Sequence, residues 1–346
     1  MSFFLYFCTI MEQKKEISIS LIIPVYNVSP YIERCLKSVI KQTYNHFECI
    51  IVDDASPDGS ISKCEQMIGA YNGPIQFSIL HHQQNRGLSA ARNTGTEAAT
   101  GNYLLYIDSD DIISNDCVEK LMAPLLKDDS IEMVFGGWMT FSDDKTMMLR
   151  KNFKREKKEF STKDDIRSFF FNPNHIFIAA AWNKLISRDF LIRHSLTFKE
   201  GQLWEDVLWS FFVMKHLSHL YSIPDVTYFY YQRKDSISNS TNEEKRIEHI
   251  GIINDIISTH FTPGEEGKEA SYYVWDFCKH YIQQSRNKQH RTTAQRFRKA
   301  LPFREYPIEK ILLWITEILP RNHTGKEIFT FFYKWLFRLQ EKNISR

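Results

Sequence analysis

The chain has 346 residues, 43% hydrophobic and 25% charged, enough apolar content to bury a core and to exclude wholesale disorder. Lys and Arg number 44 against 42 acidic residues, a net charge of +2, so the balance does not point to a nucleic-acid partner. The length suits two domains, or one large domain with an extension.

At the N-terminus, MSFFLYFCTI is apolar but falls short of the roughly 18 residues a membrane span needs. It also lacks the basic start and small-residue cleavage site of a secretory signal. Met11 opens the polar run MEQKKE and is a candidate start, so residues 1–16 read as a lead ahead of the fold. The six cysteines (Cys8, Cys35, Cys49, Cys64, Cys117, Cys278) form no C-x-x-C pair. That spacing argues for buried thiols in a reducing cytoplasm over a zinc site or a disulfide framework.

From Ile17 to Ile23 the run ISISLII predicts a buried strand ended by Pro24. Ser29 and Pro30 read as the cap and first residue of a helix whose apolar stripe is Ile32, Cys35, Leu36, Val39 and Ile40. FECIIV (Phe47 to Val52), IQFSIL (Ile75 to Leu80) and YLLYI (Tyr103 to Ile107) predict three further strands. Between the last two, SAARNTGTEAA predicts a helix capped by Ser89. Alternating strand and helix argues an α/β doubly wound sheet with ligands at the carboxyl ends of its strands.

Ser142 to Lys158 is polar and reads as a solvated excursion. Helical patterns return over Asp164 to Phe171, Ala179 to His194 and Glu205 to Leu220, followed by a strand, VTYFYY, from Val226 to Tyr231. Beyond about residue 240 the pattern is helical only, giving a helical C-terminal region over 241–346. Seven basic residues and no acidic one lie between Arg286 and Arg304, and the last helix, EIFTFFYKWLFRLQ, is aromatic and basic. Such a tail suits peripheral contact with an anionic membrane. An ordinary docked helix with a solvated basic face has the same pattern.

Three acidic clusters end or open predicted elements. In Asp108-Ser109-Asp110, residues two apart on a strand project the same way. Two converging carboxylates call for a hard divalent cation, Mn²⁺ or Mg²⁺, although helix capping uses the same residue type. Asp53 and Asp54 follow a buried strand, where carboxylates either cap a helix or accept hydrogen bonds from a nucleotide. Arg86 and Arg92, around NRGLSAARN, offer charge to an anion or pair on the surface. Glu205 and Asp206 open a helix, where the dipole favours acids whatever their role; the functional reading is a general base flanked by Trp204 and Trp209 as an apolar wall or sugar-stacking platform.

Taken together, SLIIPVYNVSPYIERCLKSVIKQTYNHFECIIVDDASPDGS, NRGLSAARNTG and GNYLLYIDSDD closely resemble glycosyltransferase family 2. AAWNKLISRDFL, LTFKEGQLWEDVLW and YFYYQRKDSIS resemble its bacterial capsular and exopolysaccharide branch. The resemblance covers about residues 17–240 and implies a Rossmann-like GT-A fold binding a nucleotide-diphosphate sugar, with a helical C-terminal extension. It implies an inverting, metal-dependent hexosyl- or N-acetylhexosaminyltransferase that uses a UDP-sugar and a glycan or lipid-linked acceptor. It places such an enzyme in the cytoplasm or at the inner face of the cell membrane, in surface polysaccharide synthesis.

Residue by residue, the resemblance implies that Pro24, Tyr26 and Asp54, with Asp53 beside them, hold the base and ribose. Asp108 and Asp110 match the D-x-D pair, with Asp110 the direct metal ligand. Arg92 lies in the R-N-x-G motif and Arg86 near it, while Asp206 matches the catalytic base and Glu205 its neighbour. The Q-x-x-R-W motif of processive synthases is missing, which implies one sugar per encounter. Gln232 stands where the family often has arginine, so a diphosphate contact from that loop is not implied. Two other readings are a nucleotidyltransferase, which PVYNVSP in place of a Gly-rich loop disfavours, and a catalytically inactive nucleotide-binding scaffold, which the intact acidic motifs disfavour.

Overall fold

A computed structural model describes residues 17–142, 152–153, 157–170, 179–233, 243–260, 288–300, 307–318, 327–328 and 331. The lead with Met11, Cys8 and Cys278 lies outside these residues. Contacts divide the chain into two units, one of Met1–Phe160, Ala181–Glu200 and Leu217–Arg233, the other of Ser161–Ala180, Gly201–His216 and Lys234–Arg346.

The first unit is built on one mixed sheet. Strands β1 (Ile19–Val25), β2 (Glu48–Asp53), β3 (Gln76–His81) and β4 (Tyr103–Tyr106) are parallel in the order β3-β2-β1-β4. The chain winds outward from β1 and then crosses back to its other side, so the switch point lies between β1 and β4. Ile19, Leu21, Ile22, Ile23 and Val25 are all buried, which explains why β1 is a continuous apolar run without polar alternation.

Pro24 does not end that strand but lies within it, paired with Val52. The backbone bonds from Ile107 to Ile22 and from Asp54 to Val25 show which way alternate residues point. Position 24 faces the β4 side, where pairing stops at Ile22, so its missing N–H costs no ladder bond. The following helix α1 (Ile32–Ile40) starts after Pro30, because the Val28 carbonyl closes the first turn by accepting from Tyr31 and Ile32. Its buried face is Ile32, Cys35, Leu36, Ser38 and Val39, whereas Ile40 of the predicted stripe is only part-buried.

Helices α2 (Ser60–Gly69) and α3 (Leu88–Ala98) complete the crossovers. Ser89 does not cap α3 but lies buried within it; the cap is Gly87, whose φ of 89° suits a residue without Cβ. Gly95 is where α3 meets β1: an added Cβ would lie 2.4 Å from Ile22 Cγ2. Gly95→Ala is therefore expected to cost about 1–3 kcal/mol, measured as a lower urea midpoint at unchanged slope.

Beyond β4 come β5 (Ile112–Ile113), α4 (Cys117–Met122), β6 (Met133–Phe141), β7 (Asn152–Phe153) and β8 (Lys158–Phe160). The remainder of the polar excursion, 143–151 and 154–156, lies outside the described residues. Strand β6 carries Gly136 and Gly137, which interrupt its run of β-favouring residues. Close packing explains Gly136, since a Cβ there would meet Thr227 Oγ1 at 2.2 Å.

Ala179 to His194 is not one helix. Helix α5 (Lys163–Phe170), in the second unit, precedes it in the chain; in the first unit it yields β9 (Lys184–Ser187), antiparallel to β4 and β6, and the short helix α6 (Arg188–Arg193). Asn183 adopts a positive φ of 59°, donates to the Gly136 and Gly137 carbonyls and accepts from Thr227, turning the chain into the sheet.

The second unit continues with α7 (Glu205–His216), α8 (Glu243–Thr259), α9 (Lys288–Ala300) and α10 (Pro307–Ile318). Helix α7 packs on α5 and α8, and α9 joins α8 to α10. Leu208, Trp209, Phe211, Ile253, Ile257, Phe297, Leu312 and Leu313 are buried there. In the basic segment, Arg296 pairs with Asp255 at 2.7 Å, whereas Arg286 and Arg304 lie outside the described residues. The last predicted helix lies outside them too, apart from residues 327–328 and 331. Among the described residues no helix is long and apolar enough to cross a membrane.

The last strand of the first unit, β10 (Leu220–Tyr231), is twice the length the VTYFYY run predicts. Register shifts between Ser222 and Tyr228, around Pro224, break its sequence pattern without breaking its pairing to β6.

Candidate active site

The first unit gathers Pro24, Tyr26, Asp53, Asp54, Arg86, Arg92, Asp108 and Asp110 on β1, β2, α3 and the loops that follow β1, β3 and β4. Tyr26, just past β1, is 45% exposed and leaves its ring free for a planar ligand. Asp53 ends β2; its carboxylate accepts from Ser56 N at 2.8 Å and lies 3.0 Å from His81 Nδ1. Asp54 is buried and takes three protein partners: Arg86 N at 2.8 Å, Gly87 N at 2.7 Å and His82 Nδ1 at 2.7 Å. It thereby ties the loop before α3 to the end of β2. The Arg86 side chain reaches Glu200 at 3.1 Å, an ion pair half in solvent.

Beyond β4, Asp108 accepts from the buried Arg92 guanidinium at 2.7 Å. Its N–H donates to the Tyr228 hydroxyl at 3.1 Å, and that hydroxyl donates to Asp111 at 2.7 Å. Asp111 is fully buried and also accepts from Tyr231 N at 2.7 Å. Asp110 lies 3.2 Å from Arg233 Nε, and its carbonyl accepts from Arg34, whose guanidinium sits 3.7 Å from the centre of the Tyr231 ring.

Three carboxylates within four residues repel one another. Burial, and then the Asp108 charge, push the Asp110 carboxyl up to about 6. Burial, and then the charges of Asp110 and Asp108, push Asp111 well above the carboxylate range. Asp111 is locked inside by Tyr228 and Tyr231, whereas the side chains of Asp108 and Asp110 are 24% and 19% exposed. Partly open, hard oxygen donors two residues apart fit Mg²⁺ or Mn²⁺. Sequence reasoning missed Arg34 and Tyr228, which reach this cluster from elements 74 and 120 residues away from Asp108 along the chain. No local pattern signals either one.

Glu205 and Asp206 belong to the second unit, in the first turn of α7, after Trp204 at a positive φ of 55°. Glu205 is buried, and Asp206 Oδ1 accepts from Val207 N at 2.9 Å. The predicted platform role fails for Trp209: one turn along α7 it joins Leu208 and Phe211 in the core and is 2% exposed.

The model of the family described as glycosyl transferase family 2 matches residues 20–194, half of the chain. Glycosyltransferase GlyA of Streptococcus pneumoniae is 38% identical over 130 residues, covering 37% of this chain and 18% of GlyA. EpsJ of Bacillus subtilis, named as an uncharacterized glycosyltransferase, is 27% identical over 234 residues, covering 67% of this chain and 66% of EpsJ. The matches thus span less than two thirds of these relatives' own lengths. Among solved structures, Staphylococcus aureus TarS residues 1–349 with UDP-GlcNAc aligns at a TM-score of 0.68, with 17% identity and 92% of each chain covered. The mannosyltransferase PcManGT of Pyrobaculum calidifontis, with GDP-Man and Mn²⁺, aligns at 0.53 with 18% identity over 94% of this chain and 86% of its own. The switch-point sheet, the acidic cluster past β4 and the family match agree: the chain has the GT-A fold and belongs to glycosyl transferase family 2.

Proposed function

We propose that the chain moves one sugar, with inversion, from a nucleoside-diphosphate sugar to a hydroxyl of a glycan or lipid-linked acceptor in bacterial surface polysaccharide synthesis. The observation that carries this reading is the Asp108–Asp110 cluster, two partly exposed carboxylates two residues apart past the end of β4, where burial and the Asp108 charge raise the Asp110 carboxyl. TarS with UDP-GlcNAc and PcManGT with GDP-Man and Mn²⁺ support a nucleotide-sugar donor, and we favour UDP. The work would be done in the cytoplasm or at the inner face of the membrane, with the basic C-terminal region as the peripheral contact.

In this reading Tyr26, Pro24 and Asp53 bound the base and ribose, and Asp54 shapes the pocket by holding the loop with Arg86 and Gly87. Asp110 and Asp108 hold Mn²⁺ or Mg²⁺, and Arg92 fixes the Asp108 carboxylate. When bound, the ion supplies charge neutralisation for the departing diphosphate. Asp206 accepts the proton of the acceptor hydroxyl as its oxygen bonds the anomeric carbon and the bond to the diphosphate oxygen breaks. Glu205 supports Asp206 from the same helical turn. Only one acid–base group is then needed, because the diphosphate leaves without a proton.

Incubating the full chain with a panel of sugar nucleotides, Mn²⁺ and a lipid-linked acceptor tests this. We expect nucleoside diphosphate release from one donor, lost on chelation. Release that persists in excess chelator would overturn the metal assignment.

A further inference from the structure

We infer that the first unit carries a second divalent-cation site, formed by Asp128, Glu159 and His219 and suited to Zn²⁺. One ligand atom from each lies within 4.8 Å of the others. The three come from separate places: Asp128 from the loop after α4, Glu159 from the edge strand β8, and His219 from the residue before β10. Opposite ends of the sheet hold the two sites. Strands β4, β6 and β10 run parallel, Asp108 follows the end of β4, and His219 precedes the start of β10. The length of β10 puts the triad on the order of 30 Å from the Asp110 cluster.

The imidazole is held as a ligand would need to be. Glu132 accepts from the His219 N–H, and its own N–H donates to the His219 carbonyl, so the residue is pinned from both sides. His219 Nδ1 lies 3.0 Å from Ser130 Oγ, and Ser130 donates through both N–H and Oγ to Asp128 Oδ1. Ser130 therefore acts as the outer partner that orients both the ring and the carboxylate. Nε2 lies 2.9 Å from Glu159 Oε1, close to the separation of about 3 Å between neighbouring ligands on an ion with bonds of about 2.1 Å.

One imidazole and two carboxylates suit a borderline ion such as Zn²⁺ better than Mg²⁺ or Ca²⁺, which take oxygen alone. The plainer alternative is a Glu159–His219 ion pair with Asp128 held to Ser130 for its own sake. In it a protonated imidazole faces Glu159 and Ser130 and balances one carboxylate, leaving one negative charge that a bound ion would neutralise. An ion there would fasten β8, a three-residue edge strand, to the start of β10 and to the loop after α4. This inference does not rest on the proposed transfer reaction.

Calorimetric titration of ZnCl₂ into the chelator-treated full chain, without nucleotide, tests it. The expected result is one Zn²⁺ per chain at micromolar or tighter affinity, with a matching rise in melting temperature. His219→Ala and Glu159→Gln should each weaken binding at least tenfold, and Asp110→Asn should leave it within twofold. Glu159 is exposed, so its variant keeps the test decisive if His219→Ala does not fold. No binding by the wild type, or undiminished binding by Glu159→Gln, overturns the site. Loss in Asp110→Asn alone assigns the ion to the other cluster and overturns it equally.

Discussion

Asp110→Asn is expected to raise the melting temperature of the metal-free protein while removing divalent-metal-dependent UDP binding. The folded carboxyl titrates near 6, above its ordinary value of 3.8, because burial and Asp108 disfavour its charge. Between those values the folded state holds a proton that the unfolded chain has released. Stability therefore falls as pH rises through this window, and the full deficit is present above about pH 6. A shift of about two units corresponds to roughly 3 kcal/mol, so the neutral amide should gain about 1–3 kcal/mol at pH 7.5 and almost nothing below pH 4.

Function moves the opposite way. A cation competes with the Asp110 proton, so wild-type affinity for Mn²⁺ with UDP should fall about tenfold per unit below pH 6. Scanning calorimetry in chelator at pH 4 and 7.5, with Mn²⁺–UDP titrations at pH 5, 6 and 7.5, reads both effects. A variant that melts lower at pH 7.5, or that keeps metal-dependent UDP binding, would contradict the assignment.

Asp206→Asn is expected to lower kcat by about 10²–10⁴-fold, the range typical of a lost general base. The affinity for UDP should not change, since nucleotide contacts are assigned to residues of the first unit. The amide oxygen can still accept from Val207 N, so the start of α7 and the fold should survive. Rates and calorimetric UDP affinities, measured side by side, decide it. A kcat within a few-fold of wild type would remove Asp206 from the role of base.

Much of this arrangement was legible in the residues. The strands β1, β2 and β4 are dense apolar runs because both faces of the sheet are covered there, and burial of that kind leaves a plain local signal. Asp53, Asp54, Asp108 and Asp110 could be placed because a carboxylate directly after such a run lies at a carboxyl strand end. Helix starts were less legible. Ser29 and Ser89 have the chemistry of caps, yet the chain starts its helices from the Val28 carbonyl and from Gly87. Strand β9 looks helical because apolar residues at AAWNKLIS fit both periods, and only pairing with β4 and β6 decides between them.

From the sequence alone came the family, the parallel half of the sheet and the acidic residues, because each rests on local order: hydrophobic runs, turns and short motifs. Tertiary structure alone decided what those carboxylates meet. Asp54 is occupied by the loop before α3, Asp108 by Arg92, and Asp111 by Tyr228 and Tyr231 from a strand well over a hundred residues later. Tertiary structure also buried Trp209 and drew Asp128, Glu159 and His219 together. The physical reason is that charge, burial and hydrogen bonding act through space. A residue's ionisation and its partners depend on neighbours that only the folded chain brings within a few ångströms.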